Sequence, residues 1–297
     1  MHISVLQKEV VGYLDPRPGA NLIDGTCGAG GHTLEILKSV APAGKILCLD
    51  LDAGALARAK SRIEKEAPDL AKNVIFAHAN FADIKQVVAE NSFSPVNGIV
   101  VDLGMSSDQL DASGRGFSFQ KDETLDMRFS LDQELTAAHI VNQWSRQDLE
   151  KILKEYGEEK FYRRIAEELI KIRKIKPIIT TRQLTEVVTS AVPKKYQYGR
   201  TNVATKTFQA LRIAVNDELG SLEKFLPQAL QILAPQGRLT VISFHSLEDR
   251  IVKNFFKNRA KDGQVRILTK KPVVAGEEEI NRNPRSRSAK LRAIAKI

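Results

Sequence analysis

One short stretch, Ile23-Asp24-Gly25-Thr26-Cys27-Gly28-Ala29-Gly30-Gly31-His32, restricts the folds open to this chain more than any other. It follows an apolar segment and precedes a helical pattern. It therefore reads as the first strand-to-helix turn of a nucleotide-binding α/β unit. Glycines crowded into so short a run let the backbone turn sharply and approach a ligand, because no Cβ obstructs it. Asp50 stands twenty residues after Gly30, at the end of a second apolar run, Lys45 to Leu49. A carboxylate there can accept hydrogen bonds from ribose hydroxyls.

Two details turn the reading away from a dinucleotide. The dinucleotide pattern requires a third glycine three residues after Gly30, and this chain has Thr33 there. The turn also opens with Asp24, a negative charge where a pyrophosphate would come close, and that repulsion is costly in a dry site. S-adenosylmethionine carries an ammonium and a sulfonium and tolerates the acid.

The apolar runs supply the frame around that turn. Asn21-Leu22-Ile23, Lys45 to Leu49, Asn73 to Phe76 and Gly98 to Val101 read as strands, with helical patterns at Thr33 to Val40 and Ala55 to Glu66. Alternating β and α units imply a parallel sheet covered by helices. Asp24, Asn80, Asp50 and Asp102 then share the carboxyl edge of that sheet, where open α/β folds bind ligands. From Asp108 to Thr205 strand signal is scarce and the spacing is helical. Leu149, Ile152, Leu153, Ile165, Leu169 and Ile172 suggest one helical stretch from Arg146 to Arg173, ended before Pro177. Thr181 is the expected cap of the next helix. Sheet character returns at Gly237 to Ser243, and Gln264 to Thr269 can pair with Lys290 to Ile297 as a final antiparallel hairpin. The expected organisation is a sheet domain over 1–107 and 206–297, interrupted by a helical insertion at 108–205.

The 297 residues are 42% hydrophobic and 27% charged, enough for one large domain or two smaller ones. No run of about 18 apolar residues occurs, so no membrane span is expected. The N-terminus lacks a signal-peptide pattern. Cys27 and Cys48 do not make a disulfide framework and suit a reducing cytoplasm. Five histidines without paired spacing argue for no metal. The formal net charge of +9 favours an anionic partner, of which nucleic acid is the commonest. Aromatic content of 6% argues against a broad platform for single strands.

Further blocks carry a family resemblance over nearly the whole chain. They are Val101-Asp102-Leu103-Gly104-Met105-Ser106-Ser107-Asp108-Gln109-Leu110-Asp111, Arg115-Gly116-Phe117-Ser118-Phe119, Leu125-Asp126-Met127-Arg128, Tyr156-Gly157-Glu158-Glu159, Thr207 to Ile213, Ser243 to Arg250 and Asn283 to Ser288. In these blocks and in the glycine turn the chain resembles the bacterial 16S rRNA (cytosine-N4)-methyltransferases of the RsmH type, also called MraW. The resemblance implies a Rossmann-like class I S-adenosylmethionine-dependent methyltransferase with an inserted helical domain for substrate recognition. The implied acceptor is a cytidine of 16S rRNA near the ribosomal P site. The family's cofactor positions fall on Gly30, Gly31, His32, Asp50, Phe81, Asp102 and Gln109. The chain departs from the family pattern at Ser4, Cys27, Ala29 and Asn202-Val203, none of which is a cofactor position.

Each residue carries a competing structural role. Phe81 offers a face to adenine or fills the core. His32 reaches the methionyl carboxylate or caps the first helix. Asp24 balances the ammonium. The cytosine N4 amine is a poor nucleophile, and a hydrogen-bond acceptor for it stabilises the charge that develops on transfer. Asp102, at the end of the fourth strand, is the expected acceptor, although the usual Pro-Pro-aromatic sequence does not follow it. His245 either positions the flipped base or shapes its own loop. Arg282, Arg285, Arg287, Lys290 and Arg292 form a basic segment suited to RNA phosphates, with Lys194, Lys195, Arg200 and Lys206 as a second patch. Methylation of DNA or protein, or an RNA-binding assembly factor without turnover, are the alternatives. A homodimer is an open expectation.

Overall fold

The computed structural model describes residues 4–105, 110, 113–197 and 202–297. Gln109 and Arg200, named above, lie outside the described residues. The chain divides into two compact units, one made of residues 1–104 and 219–297, the other of residues 105–218.

The first unit is built on a seven-stranded sheet whose strands, in order across it, are Val74–His78, Ile46–Asp50, Leu22–Asp24, Val96–Asp102, Leu233–Ser243, Lys290–Lys296 and Val265–Ile267 (β3-β2-β1-β4-β5-β7-β6). A helix, α1 (Gln7–Leu14), precedes β1 (Leu22–Asp24), and α2 (Gly31–Val40) follows the glycine turn. Then come β2 (Ile46–Asp50), α3 (Ala53–Glu66), β3 (Val74–His78), α4 (Ile84–Glu90) and β4 (Val96–Asp102). β1 to β4 run parallel, with Asp24 opposite Cys48 on one side and Val100 on the other. The strands are near-continuous apolar runs because helices bury both faces of the sheet. Period-2 alternation sorts them. Ile46, Cys48 and Val100 face a core with Leu34, Leu37 and Ile63, while Leu47, Leu49, Ile99 and Val101 face Leu222, Phe225 and Phe256.

The second unit is helical. Among its described residues the only strand-type pairing is an isolated bridge between Thr124 and Thr180. It holds α5 (Ala137–Gln143), α6 (Arg146–Glu155), α7 (Tyr162–Arg173), α8 (Thr181–Ala191), α9 (Lys194–Gln197) and α10 (Thr205–Asn216). Leu149, Ile152, Leu153, Ile165, Leu169, Leu184, Val188, Phe208 and Leu211 form its core. Three expectations are corrected here. The stretch Arg146 to Arg173 is two helices, because Gly157 packs so tightly that a Cβ would lie 2.7 Å from the carbonyls of Leu153 and Lys206. Glu158 next to it takes a left-handed φ of 47°. The cap of α8 is Thr180, in a capping box with Gln183, while the Thr181 hydroxyl donates to Lys121 O at 2.7 Å. Finally, α10 packs with the inserted helices through Phe208 and Leu211, so the insertion extends past 205.

Much of the sequence blocks around 115–128 is scaffold for this unit. Arg128 grips Asp126 with two bonds of 2.8 Å, and Asn216 Nδ2 donates to Met127 O while its Oδ1 accepts from Phe129 N. Gly116 has φ +73°, and a Cβ there would sit 2.3 Å from Thr124 O.

The chain returns through α11 (Glu218–Ile232) to β5 (Leu233–Ser243), then α12 (Ser246–Lys261), β6 (Val265–Ile267), α13 (Glu277–Arg282) and β7 (Lys290–Lys296). β5 is parallel to β4 and starts earlier than expected, carrying the Pro235-Gln236-Gly237 turn as an irregularity between Val96 and Gly98 of its neighbour. β7 is antiparallel to both β5 and β6, as the sequence suggested for the last hairpin. Among the described residues no helix is long and apolar enough to cross a membrane.

Candidate active site

The carboxyl edge of β1, β2 and β4 gathers Asp24, Asp50 and Asp102, and the glycine turn lies across it. Asp24 ends β1 and is 1% exposed. Its Oδ2 accepts the Thr33 hydroxyl at 2.7 Å and its Oδ1 accepts Thr26 N at 3.2 Å. The residue that replaces the dinucleotide glycine thus anchors the turn to the strand. Asp24 ties the turn to the end of β1 through these two bonds. Burial pushes its carboxyl above the usual range, against the nearby His32 and the Thr33 hydrogen bond.

The turn itself needs glycine at two points. Gly28 and Gly30 take φ of 52° and 73°, a region that L side chains rarely adopt. A Cβ on Gly30 would also stand 3.1 Å from Ala59 Cβ. Gly28 N donates to Asp50 Oδ2 at 2.8 Å, and Asp52 N donates to Asp50 Oδ1 at 2.8 Å. Asp50 is thereby fixed at the end of β2 beside the turn. Burial pushes its carboxyl up to about 6, even though both backbone bonds pull the other way. Gly31 starts α2, its carbonyl accepting from Gln7 Nε2 at 3.2 Å, with Ser4 packed against it.

Asp102 extends two residues past the level of Asp24, since Asp24 pairs with Val100. Its amide donates to Thr26 Oγ1 at 2.7 Å, so β4 and the turn are tied together. His32, 6% exposed, brings Nε2 to 3.5 Å from Asp102 Oδ2. Both ring nitrogens of His32 and Oδ1 of Asp102 are buried without a hydrogen-bond partner among the described residues. Buried polar atoms left unsatisfied cost about 1–3 kcal/mol each, so this cluster is suited to a polar ligand. Burial alone would lower the His32 pKa, but Asp102 and then Asp24 raise it, and the net shift is upward.

Phe81 enters through a turn capped by Asn80, whose Oδ1 accepts Ala82 N at 2.9 Å. The ring is half-buried and stands edge-on to Phe225, with centroids 5.3 Å apart. It adjoins the same edge, since a Cβ on Gly25 would be 3.5 Å from Phe81 Cβ.

His245 is an N-cap. Its Nδ1 accepts Glu248 N at 3.4 Å, and Glu248 Oε2 accepts the amides of Phe244 and His245 at 2.8 and 3.2 Å. Its Nε2 lies 3.2 Å from Glu248 Oε1. The ring caps α12 through Nδ1, while Nε2 is buried and makes no hydrogen bond among the described residues. Glu248, missed in the sequence, was visible there as the acid three residues after a cap.

The basic segment divides. Arg292 is buried in β7 and forms a two-pronged pair with Asp249 of α12, at 2.6 and 3.2 Å. It is corrected from an RNA contact to a structural cation. Lys290, half-buried, lies 4.0 Å from the same carboxylate. Arg282 pairs with Glu278, Arg285 is half-buried and Arg287 is exposed.

S-adenosylmethionine suits this donor set. Asp50 offers acceptors for ribose, the left-handed glycines bring backbone close to the ligand, and the His32–Asp102 pair offers unsatisfied polar atoms.

The likeness to known proteins agrees with the geometry. A crystal structure of a candidate rRNA-methylase from Clostridium thermocellum shares the fold, with a TM-score of 0.50 and 12% identity over 100% of both chains. Ribosomal RNA small subunit methyltransferase H of Geotalea daltonii is 49% identical over 100% of this chain and 98% of its own length. The protein of the same name from a Synechocystis strain is 48% identical over 100% of this chain and 93% of its own. The MraW methylase family matches residues 1–297, and the chain belongs to that family.

Proposed function

We propose that this protein transfers the methyl group of S-adenosylmethionine to the N4 amine of a cytidine in small-subunit ribosomal RNA. The reading is carried by Asp102 at the end of β4, whose buried Oδ1 has no partner among the described residues. The relatives named above act, by their names, on small-subunit ribosomal RNA, and a net charge of +9 suits such a partner.

When bound, S-adenosylmethionine supplies an electrophilic methyl group on a sulfonium. Asp50 and the backbone of the glycine turn orient the donor, because transfer is an in-line displacement governed by alignment. Asp102 accepts a hydrogen bond from the N4 amine and stabilises the positive charge that grows on nitrogen. His32 Nε2 stands 3.5 Å from Asp102 Oδ2 and helps to hold that carboxylate in place. The reading places the protein in the cytoplasm with its substrate, and it requires no second copy of the chain.

Labelled S-adenosylmethionine, offered with naked rRNA, small subunits lacking the mark, DNA or protein, tests the reading. Label recovered as N4-methylcytidine in small-subunit RNA supports it. Label confined to DNA or protein, or to another atom of the RNA, overturns it.

A further inference from the structure

The helical unit carries an aromatic and cationic cluster that the cofactor edge does not use. Phe161, at the start of α7, and Tyr196, in α9, meet edge-on with centroids 5.0 Å apart. Tyr196 is 40% exposed, a large ring open to solvent. Lys160 Nζ stands 5.3 Å from the Tyr196 centroid and 5.8 Å from that of Phe161. Lys195 Nζ stands 5.1 Å from the Tyr196 ring. The adjoining Tyr162 has Lys154 and Arg163 over it at 5.9 and 5.5 Å.

Basic side chains predominate around the rings. Lys160 and Lys195 pair with no carboxylate among the described residues. Of the two acids beside Lys160, Glu159 is buried and its Oε1 holds the Phe161 amide at 2.8 Å. Glu158 is the exposed one, and its carbonyl accepts from a further cation, Lys206 Nζ, at 2.7 Å. The segment Pro193-Lys194-Lys195-Tyr196-Gln197 contains no acid at all. An ammonium over a ring face gains little when solvated and stays available to a stronger anion. A ring open beside unpaired ammonium groups matches a nucleotide, whose base stacks on the ring while its phosphate meets the lysines.

We propose that Lys160, Phe161, Tyr196 and Lys195 bind unpaired nucleotides of the RNA substrate, as a contact additional to that at the methylated cytidine. The proposal rests on the RNA reading above and adds a substrate-binding surface on the inserted unit. The ring supplies stacking without base preference, and the lysines supply the salt-dependent part of the affinity.

The test uses the full chain and a fluorescent single-stranded oligoribonucleotide of mixed sequence, followed by fluorescence anisotropy. Tyr196→Ala is expected to weaken binding about 5- to 150-fold, and Tyr196→Phe, which keeps the ring, to bind like the parent. Lys160→Ala with Lys195→Ala is expected to flatten the log–log salt dependence by about 1.4. Thermal unfolding followed by circular dichroism reports that the variants are folded. If the parent binds RNA and folded Tyr196→Ala binds it equally well, the cluster is not a stacking site and the RNA reading survives. If the parent neither binds nor methylates RNA, both fall. Equal losses in Tyr196→Ala and Tyr196→Phe overturn the stacking role.

Discussion

His32 Nε2 lies 3.5 Å from Asp102 Oδ2, and the pair joins the first turn of α2 to the end of β4. The histidine pKa is raised because Asp102, Asp24 and Glu279 outweigh the burial that alone would lower it. A histidine whose folded pKa lies above its unfolded value adds stability below the ordinary value, and loses it as pH rises through the raised one. The ligand-free protein is therefore expected to lose melting temperature as pH rises above the ordinary histidine value of about 6.5, and His32→Gln to lose less over the same rise. Thermal unfolding across that range checks it. Equal slopes for both proteins would remove the ion pair from the account.

Asp102→Asn preserves shape and removes charge. It is expected to keep S-adenosylmethionine affinity within a few fold but to slow methyl transfer by about 10²–10³-fold, as for loss of one group aimed at developing charge. Single-turnover rates with saturating cofactor measure the step directly. Full turnover in a variant that binds cofactor would exclude a charge role for Asp102.

Asp50 gives a second pH prediction with the opposite direction. Burial raises its carboxyl to about 6, and ribose hydroxyls donate best to the ionised form. Cofactor affinity is expected to fall below about pH 6, by at most about tenfold per pH unit for one proton. Calorimetric titration should show this in the parent, and a flat, weaker profile in Asp50→Asn.

The sheet and its edge were legible because strands buried on both faces must be apolar throughout, and each ends at a polar residue. Asp24, Asp50 and Asp102 could be placed on one edge from that alone. The break at Gly157 was not legible, since Leu149, Ile152 and Leu153 before it and Ile165, Leu169 and Ile172 after it each keep helical spacing, and only the close packing of Gly157 requires the turn. Arg292 was misread for a similar reason. A run of arginines and serines looks like a solvated face, and the sequence does not show that β7 turns Arg292 toward Asp249 of α12. The role of Thr33 was half visible. Its presence argued against a dinucleotide, while its bond to Asp24 depends on the fold of the turn.

The Arg292–Asp249 pair predicts a separation of stability from binding. Breaking a buried pair by removing one partner costs about 3–5 kcal/mol, and the lower end applies here because Lys290 remains 4.0 Å from Asp249. Arg292→Ala should therefore unfold at markedly lower denaturant, whereas Arg287→Ala, on the exposed face, should leave stability unchanged and weaken RNA binding. Urea denaturation and RNA titration on both variants decide it. Parent-like stability in Arg292→Ala would contradict the buried ion pair.

His245 supports the last prediction. Its ring caps α12 and Glu248 closes the box, so His245→Ala should destabilise by about 1 kcal/mol. Asparagine is a strong N-cap without an imidazole, and His245→Asn should recover most of that loss. A residue that serves only the helix leaves methyl transfer near the parent rate once the cap is restored. A stable His245→Asn that no longer turns over would place the imidazole at the flipped base instead. Thermal unfolding and single-turnover methylation on the same two variants separate the roles.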